Sequence, residues 1–166
     1  MKSAVAASQS SPRFNRAPEG TLHTTHIAPR VGRVVAAIDG SKESGAVYAS
    51  GIQIANALNA YLDVVSSWTY PALYGYADSD SYDSPEHKAI EILTAASSAA
   101  FHGRPPEWVT LLPREGRAAD ALIDASAGAE MLIVGRRGLG AMASLLLGSV
   151  GVECVERATC PVLIIH

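Results

Sequence analysis

Hydrophobic positions in this chain fall into short unbroken runs separated by stretches of helical spacing, and the alternation repeats from residue 34 to residue 165. The first run, Val34-Val35-Ala36-Ala37-Ile38, stops at Asp39-Gly40-Ser41. A run that is apolar at every position, rather than at alternate ones, suits a strand covered on both faces. Ser41 offers a cap for the helix that follows, in which Val47, Gly51, Ile54 and Leu58 recur at helical intervals as far as about Ala57. Tyr61 to Trp68 reads as a second strand. Strand, helix and strand in such quick succession make a parallel crossover unit.

The second half of the chain repeats the theme. Ser84-Pro85-Glu86 opens a helix with a capping serine, a proline in the first turn and an acid beside the positive end of the dipole. Ala89, Leu93, Ala96 and Ala100 share its stripe, and Gly103 with Pro105-Pro106 stops it. Trp108 to Leu112 is the third strand, after which Pro113-Arg114-Glu115-Gly116 turns the chain into a helix from about Arg117 to Ser126, with Ala118, Leu122 and Ala125 facing inward. Met131-Leu132-Ile133-Val134 is the fourth strand, Ser149 to about Arg157 the last helix, and Pro161 to Ile165 the final strand. Five aliphatic strands alternating with four helices predict a three-layer α/β/α domain with an open parallel sheet, Rossmann-like in plan.

Two segments fall outside this rhythm. Residues 1 to 30 are rich in Ser, Ala, Pro, Arg and Thr with Phe14 as their sole aromatic, which predicts a flexible tail ahead of a domain spanning 31 to 166. Residues 69 to 84 gather tyrosines and aspartates without a period, as a lid over a site or a mobile connection. Within them Asp78-Ser79-Asp80-Ser81-Tyr82-Asp83 resembles the start of a calcium loop, but Asp83 stands where the sharp turn demands glycine, so the segment reads as a solvated acidic loop.

Composition narrows the function classes. Hydrophobic residues make up 48% of the 166, enough for a packed core without a disulfide or metal. The net charge of −3 is uneven: residues 31 to 166 hold nine basic against fifteen acidic side chains, which argues against a nucleic-acid-binding face. Cys154 and Cys160 lack metal-site spacing and read as small packed apolar residues, and the five histidines form no cluster. With no run long enough to span a membrane and no apolar core of a secretion signal, the expected setting is the cytoplasm.

Candidate chemistry gathers in Gly135-Arg136-Arg137-Gly138-Leu139-Gly140 and in Gly148-Ser149-Val150. Glycines let a backbone pass close to a ligand, and a helix opening at Ser149 presents free N–H groups to phosphate, with the Ser149 hydroxyl as a further donor or a plain cap. In an open α/β sheet ligands bind beyond the carboxyl ends of the strands where strand order reverses. If the first and fourth strands are neighbours, Asp39 and the glycine segment flank one crevice, Asp39 acting either as an acceptor for a ligand or as a helix cap. Arg137 is a candidate phosphate clamp on equal terms with a solvated loop residue, Arg136 reads rather as solvated, and Arg114 is a weaker candidate. Asp39 is the one acid expected near the crevice, and no catalytic nucleophile or base is visible.

Neither the P-loop nor the G-x-G-x-x-G signature occurs. Gly135, Gly138, Gly148 and Ser149 instead follow the pattern G, two residues, G, nine residues, G-[ST], and with the strand into Asp39-Gly40-Ser41 and the closing Cys160-Pro161-Val162-Leu163-Ile164-Ile165 the chain resembles the universal stress protein family over residues 31 to 166. The resemblance implies strand order 3-2-1-4-5, a homodimer joined through the last strand (Pro161 to Ile165), and ATP as ligand, with Mg²⁺ or Mn²⁺ as an open question. It implies Ala37, Ile38, Asp39 and Val65 at the adenine, Gly135, Arg137 and Gly138 at the ribose and phosphates, and Gly148, Ser149, Val150 and Gly151 at the phosphate-binding turn. Family members often carry a small hydroxyl residue at the last position, so Gly151 brings one donor fewer. The function expected is an ATP-binding regulatory or stress-response protein with at most slow hydrolysis. The alternatives are a dimeric interaction module that binds no nucleotide and an adenylating or phosphate-transfer enzyme.

Overall fold

A computed structural model describes residues 29–70, 84–139 and 147–166. The element order is β1 (Arg33–Ala37), α1 (Ser44–Ala57), β2 (Tyr61–Trp68), α2 (Pro85–Phe101), β3 (Val109–Glu115), α3 (Ala118–Ser126), β4 (Met131–Gly135), α4 (Ser149–Arg157) and β5 (Val162–Ile165). The strands form one five-stranded parallel sheet in the order β3-β2-β1-β4-β5.

The aliphatic strands bury both faces, as their unbroken runs require. Successive residues of β1 go to opposite sides: Val34 and Ala36 join Leu62, Val64 and Ile133 under α1 and α2, while Val35 joins Val65, Leu132 and Val134 under α3 and α4. Each face therefore has its own fully buried core, and β1 lies at the centre of both. Because β1 pairs with β2 on one side and β4 on the other, the direction of winding reverses between β1 and β4.

Several boundaries differ from the sequence expectation. Helix α1 opens at Ser44 rather than beside Ser41, because Ser44 Oγ is used by the preceding turn, accepting the Asp39 and Gly40 N–H groups at 3.1 and 3.0 Å. Its inward stripe is Val47, Tyr48, Gly51 and Ala55, whereas Leu58 at the C-cap is exposed. In α2 the Ser84 cap holds, with Ser84 Oγ accepting the His87 N–H at 3.1 Å, but Ala100 is exposed and Ser97 takes the buried position. Strand β3 begins at Val109 and runs on through Pro113 and Arg114 to Glu115, pairing Ser66 with Pro113. It is an edge strand, and an edge tolerates a proline that a central strand would not.

Arg30 is tied to the domain: its guanidinium donates to the Ala55 and Ala60 carbonyls at 3.2 and 2.7 Å and lies 4.1 Å over the Trp108 ring. Residues 1–28 of the expected tail, the aspartate-rich run 78–83 with most of the expected lid, and residues 140–146 of the glycine segment lie outside the described residues. Among the described residues no helix is long and apolar enough to cross a membrane.

Candidate functional site: a cavity at the strand-order reversal

A cavity of about 480 Å³ opens beyond the carboxyl ends of β1 and β4. Its size is that of a small-molecule site. Ala37, Ile38, Asp39, Val65, Gly135, Arg137, Gly138, Gly148, Ser149, Val150 and Gly151 all border it, so residues separated by over a hundred positions in sequence meet around one space. Ile38, Val47, Val65, Leu122 and Val134 give it an apolar wall, since each is buried by the core behind it.

Asp39 stands where β1 ends, and its carboxylate is fixed on both oxygens. Oδ1 accepts the Ser41 N–H at 2.9 Å and the Ser44 hydroxyl at 3.1 Å, and Oδ2 accepts the Leu139 N–H at 2.9 Å. Gly40, at φ +81°, lets the chain turn back for this arrangement. Burial pushes the Asp39 pKa up, but the hydrogen bonds from Ser41, Leu139 and Ser44 outweigh it and hold the carboxyl below its ordinary value.

Three helices point their N-termini at this cavity. Glu43 and Ser44 of α1, Ala118 of α3, and Gly148 to Gly151 of α4 are all on its wall. Among the described residues none of these three helices has a side-chain cap bond, whereas α2, which does not reach the cavity, is capped by Ser84. Uncapped N-termini leave N–H groups and the positive dipole ends to attract an anion. Arg136 and Arg137 reach the same wall half-buried rather than solvated.

The phosphate-facing donors expected from sequence need one correction. Gly148 is the N-cap residue and Ser149 the first helical one, and the Gly148 N–H is already bonded to the Arg136 carbonyl at 2.8 Å. The first rung of α4 is Val152 N–H to Gly148 carbonyl, which leaves the N–H groups of Ser149, Val150 and Gly151 ahead of the ladder. At Gly151 a Cβ would lie 2.7 Å from Leu147 Cδ1, so the space of a small hydroxyl side chain is taken by leucine here.

Sequence reasoning missed Glu43, Ser44 and Ser67 on the cavity wall. Asp39 is thus not the only acid there, because Glu43, the N-cap residue of α1, borders the same space. Arg114 is exposed on β3 and is absent from the wall. Cys154 is fully buried in the core under α4, and burial pushes its thiol up to about 11, which suits an inert packed side chain. Among the described residues no three His, Cys, Asp or Glu side chains gather as a metal-binding set.

Behind the cavity, Arg117 at the start of α3 donates to Asp120 at 2.9 Å and to Glu153 of α4 at 2.6 Å, and Arg157 of α4 donates to Asp120 at 2.8 Å and lies 3.4 Å from Glu153. The four charges close a ring that ties together two of the helices whose N-termini line the site.

The fold and cavity define a doubly wound α/β domain with a ligand-sized site at its topological switch point. The model of the universal stress protein family matches residues 30–166, and the chain belongs to that family. A universal stress protein of Mycobacterium tuberculosis is 32% identical over 141 residues, covering 83% of this chain and 49% of the relative. Another, from Thermus aquaticus, is 42% identical over 73 residues, covering 43% of this chain and 52% of the relative. The chain spans about half the length of these curated relatives. Among solved structures, a universal stress protein in complex with cAMP is 29% identical with a TM-score of 0.64, covering 81% of this chain and 97% of that one. A universal stress protein from Lactobacillus plantarum, 16% identical with a TM-score of 0.67 and covering 82% of this chain and 99% of that one, shares the fold.

Proposed function

We propose that this domain binds an adenine nucleotide, ATP being the form its glycine spacing suggests, and serves as a regulatory or stress-response protein with at most slow hydrolysis. The observation that carries the reading is that one cavity is bordered both by buried apolar side chains and by three helix N-termini together with Arg136 and Arg137. The base would lie against Ala37, Ile38 and Val65, and the phosphates against the N–H groups of Ser149, Val150 and Gly151, with Arg137 at their flank. The likeness to the protein solved with cAMP supports an adenine-containing ligand. Mg²⁺ or Mn²⁺ would enter with the phosphates of ATP, where it would neutralise their charge.

Asp39 supports slow rather than fast turnover as far as its own role goes, because its carboxylate is engaged by three donors and is held ionised, and so is poorly suited to taking a proton from water; Glu43 is the other acid on the wall. The test is mass-spectrometric identification of nucleotide carried through gentle purification, followed by calorimetry with ATP, AMP and cAMP. Saturable binding of any of them is expected, and its absence for all three would sink the proposal in favour of a nucleotide-free interaction module.

Assembly as a homodimer fits the same reading. Strand β5 is a sheet edge of four apolar residues, each only partly buried, and Val152 and Val155 of α4 are exposed. An open apolar edge is a liability that pairing with a second copy removes. Sedimentation velocity across a dilution series tests this, with a monomer at every concentration as the contrary result.

A further inference from the structure

We propose that Asp39 is a positioning residue whose carboxylate clasps the glycine segment after β4, and that this clasp, rather than contact with a base, is its contribution to binding in the cavity. The second half of the statement rests on the nucleotide reading above; the first half does not. Residues 39 and 139 are far apart in the chain, and the Leu139 N–H to Asp39 Oδ2 bond joins them across 100 positions. The Leu139 side chain is 75% exposed, so packing does little to hold this point of the backbone. The hydrogen bond to an ionised carboxylate is the stronger anchor there.

Gly138 shows how closely the two segments are fitted. A Cβ at this position would lie 2.6 Å from Asp39 Oδ2, well inside contact distance. The carboxylate cannot swing aside to make room, because Oδ1 is held by the Ser41 N–H and the Ser44 hydroxyl, and Ser44 is in turn fixed by the N–H groups of Asp39 and Gly40. A glycine is therefore required by the clasp itself. Arg136, whose carbonyl accepts the Gly148 N–H at 2.8 Å, precedes Leu139 by three residues, so a backbone held by Asp39 also bears on the entry to α4, whose first N–H groups lie ahead of the helical ladder.

The test uses the full chain and three variants, Asp39→Ala, Asp39→Asn and Gly138→Ala. Hydrogen exchange in the absence of nucleotide reads the clasp directly. The Leu139 amide should be protected in the unaltered chain and should exchange at least about tenfold faster in Asp39→Ala and Gly138→Ala, the size expected for one charge-assisted bond. Asp39→Asn keeps an amide oxygen as acceptor and should fall between them. Amides of β1 and β4 serve as the folding control and should stay protected in all variants. Equal exchange at Leu139 in the unaltered chain and Asp39→Ala would overturn the clasp whether or not any nucleotide binds.

Calorimetry with AMP and with ribose 5-phosphate then separates clasp from base contact. A positioning role predicts that Asp39→Ala weakens both probes by a similar factor, and that Gly138→Ala, which leaves the carboxylate in place, weakens them comparably. Loss confined to AMP would assign Asp39 to the base and refute the positioning role. Failure of the unaltered chain to bind either probe would remove the nucleotide reading and the binding role with it, leaving the exchange experiment to judge the clasp as a structural contact.

Discussion

Two glycines of the same helix separate backbone propensity from packing. Gly45 and Gly51 both lie in α1. A Cβ at Gly45, the second residue of α1, meets nothing within 4 Å, so Gly45→Ala gains helix propensity alone and should stabilise the fold by up to about 0.5 kcal/mol, less than at an interior position. At Gly51 a Cβ would sit 3.0 Å from Leu62 Cδ1 and 3.1 Å from the Ala36 Cβ. Leu62 and Ala36 are both 0% exposed on central strands and have nowhere to retreat. Overpacking a core by one methyl costs about 1–3 kcal/mol, so Gly51→Ala should lose its propensity gain and end about 0–2 kcal/mol less stable than the unaltered chain. Urea unfolding at fixed pH gives both differences from the midpoints if the slopes agree. The gap between the two variants is then mainly the packing contribution, about 1–3 kcal/mol, reduced by the larger propensity gain at the interior position of Gly51. It bears on function because the seat of α1 on the sheet determines where Ser44 meets Asp39. Equal stabilisation by both substitutions would refute the reasoning and show that α1 can lift from the sheet at no cost.

Three further outcomes are expected. Because the folded-state pKa of Asp39 lies below its ordinary value of 3.8, its contribution to stability is present above that value and is lost as pH falls through the lower one. Unfolding midpoints measured from pH 7 downward should therefore drop more steeply for the unaltered chain than for Asp39→Asn below about pH 5, and parallel curves would contradict the hydrogen-bonding account. Ser149→Pro places proline at the first position of α4, after a residue with ψ 157°, where it suits the helix but removes one N–H. ATP affinity should fall about tenfold relative to Ser149→Ala with unfolding midpoints little changed, and identical affinities for the two variants would exclude that N–H as a phosphate donor. Glu153→Gln opens the charge ring between α3 and α4. Any loss of stability should be small at low salt and vanish in high salt, whereas a loss that persists in high salt would point to packing instead.

How far the site could be read in advance is best seen residue by residue. The fold was legible because each strand is a local aliphatic run and each helix carries its own spacing, so Val34 to Ala36 and Met131 to Val134 declare themselves without reference to distant residues. The pattern of Gly135, Gly138, Gly148 and Ser149 was equally local, and the residues it named do border one cavity. Leu58 and Ala100 misled because helical spacing continues to the ends of α1 and α2 after the sheet they pack on has ended. Pro113 misled because a proline reads as a turn unless the strand is known to be an edge. Glu43 was missed for a smaller reason: α1 is capped at Glu43 rather than Ser41, and that shift of two residues takes Glu43 out of the expected first turn to the N-cap position beside the cavity.

The sequence by itself determined the alternation of elements, the apolar character of both sheet faces, and a glycine segment able to approach a ligand. These follow from neighbours within a few positions, where sterics and periodicity act directly on the chain. Tertiary structure alone decided which hydrogen-bonding groups remain free. The Gly148 N–H is consumed by the Arg136 carbonyl, and Asp39 Oδ2 is consumed by the Leu139 N–H. The first closes the segment between β4 and α4, and the second depends on β1 and β4 lying side by side, a pairing of segments about a hundred residues apart that no local pattern encodes. The donors and acceptors left to meet a ligand are what remains after the fold has satisfied its own.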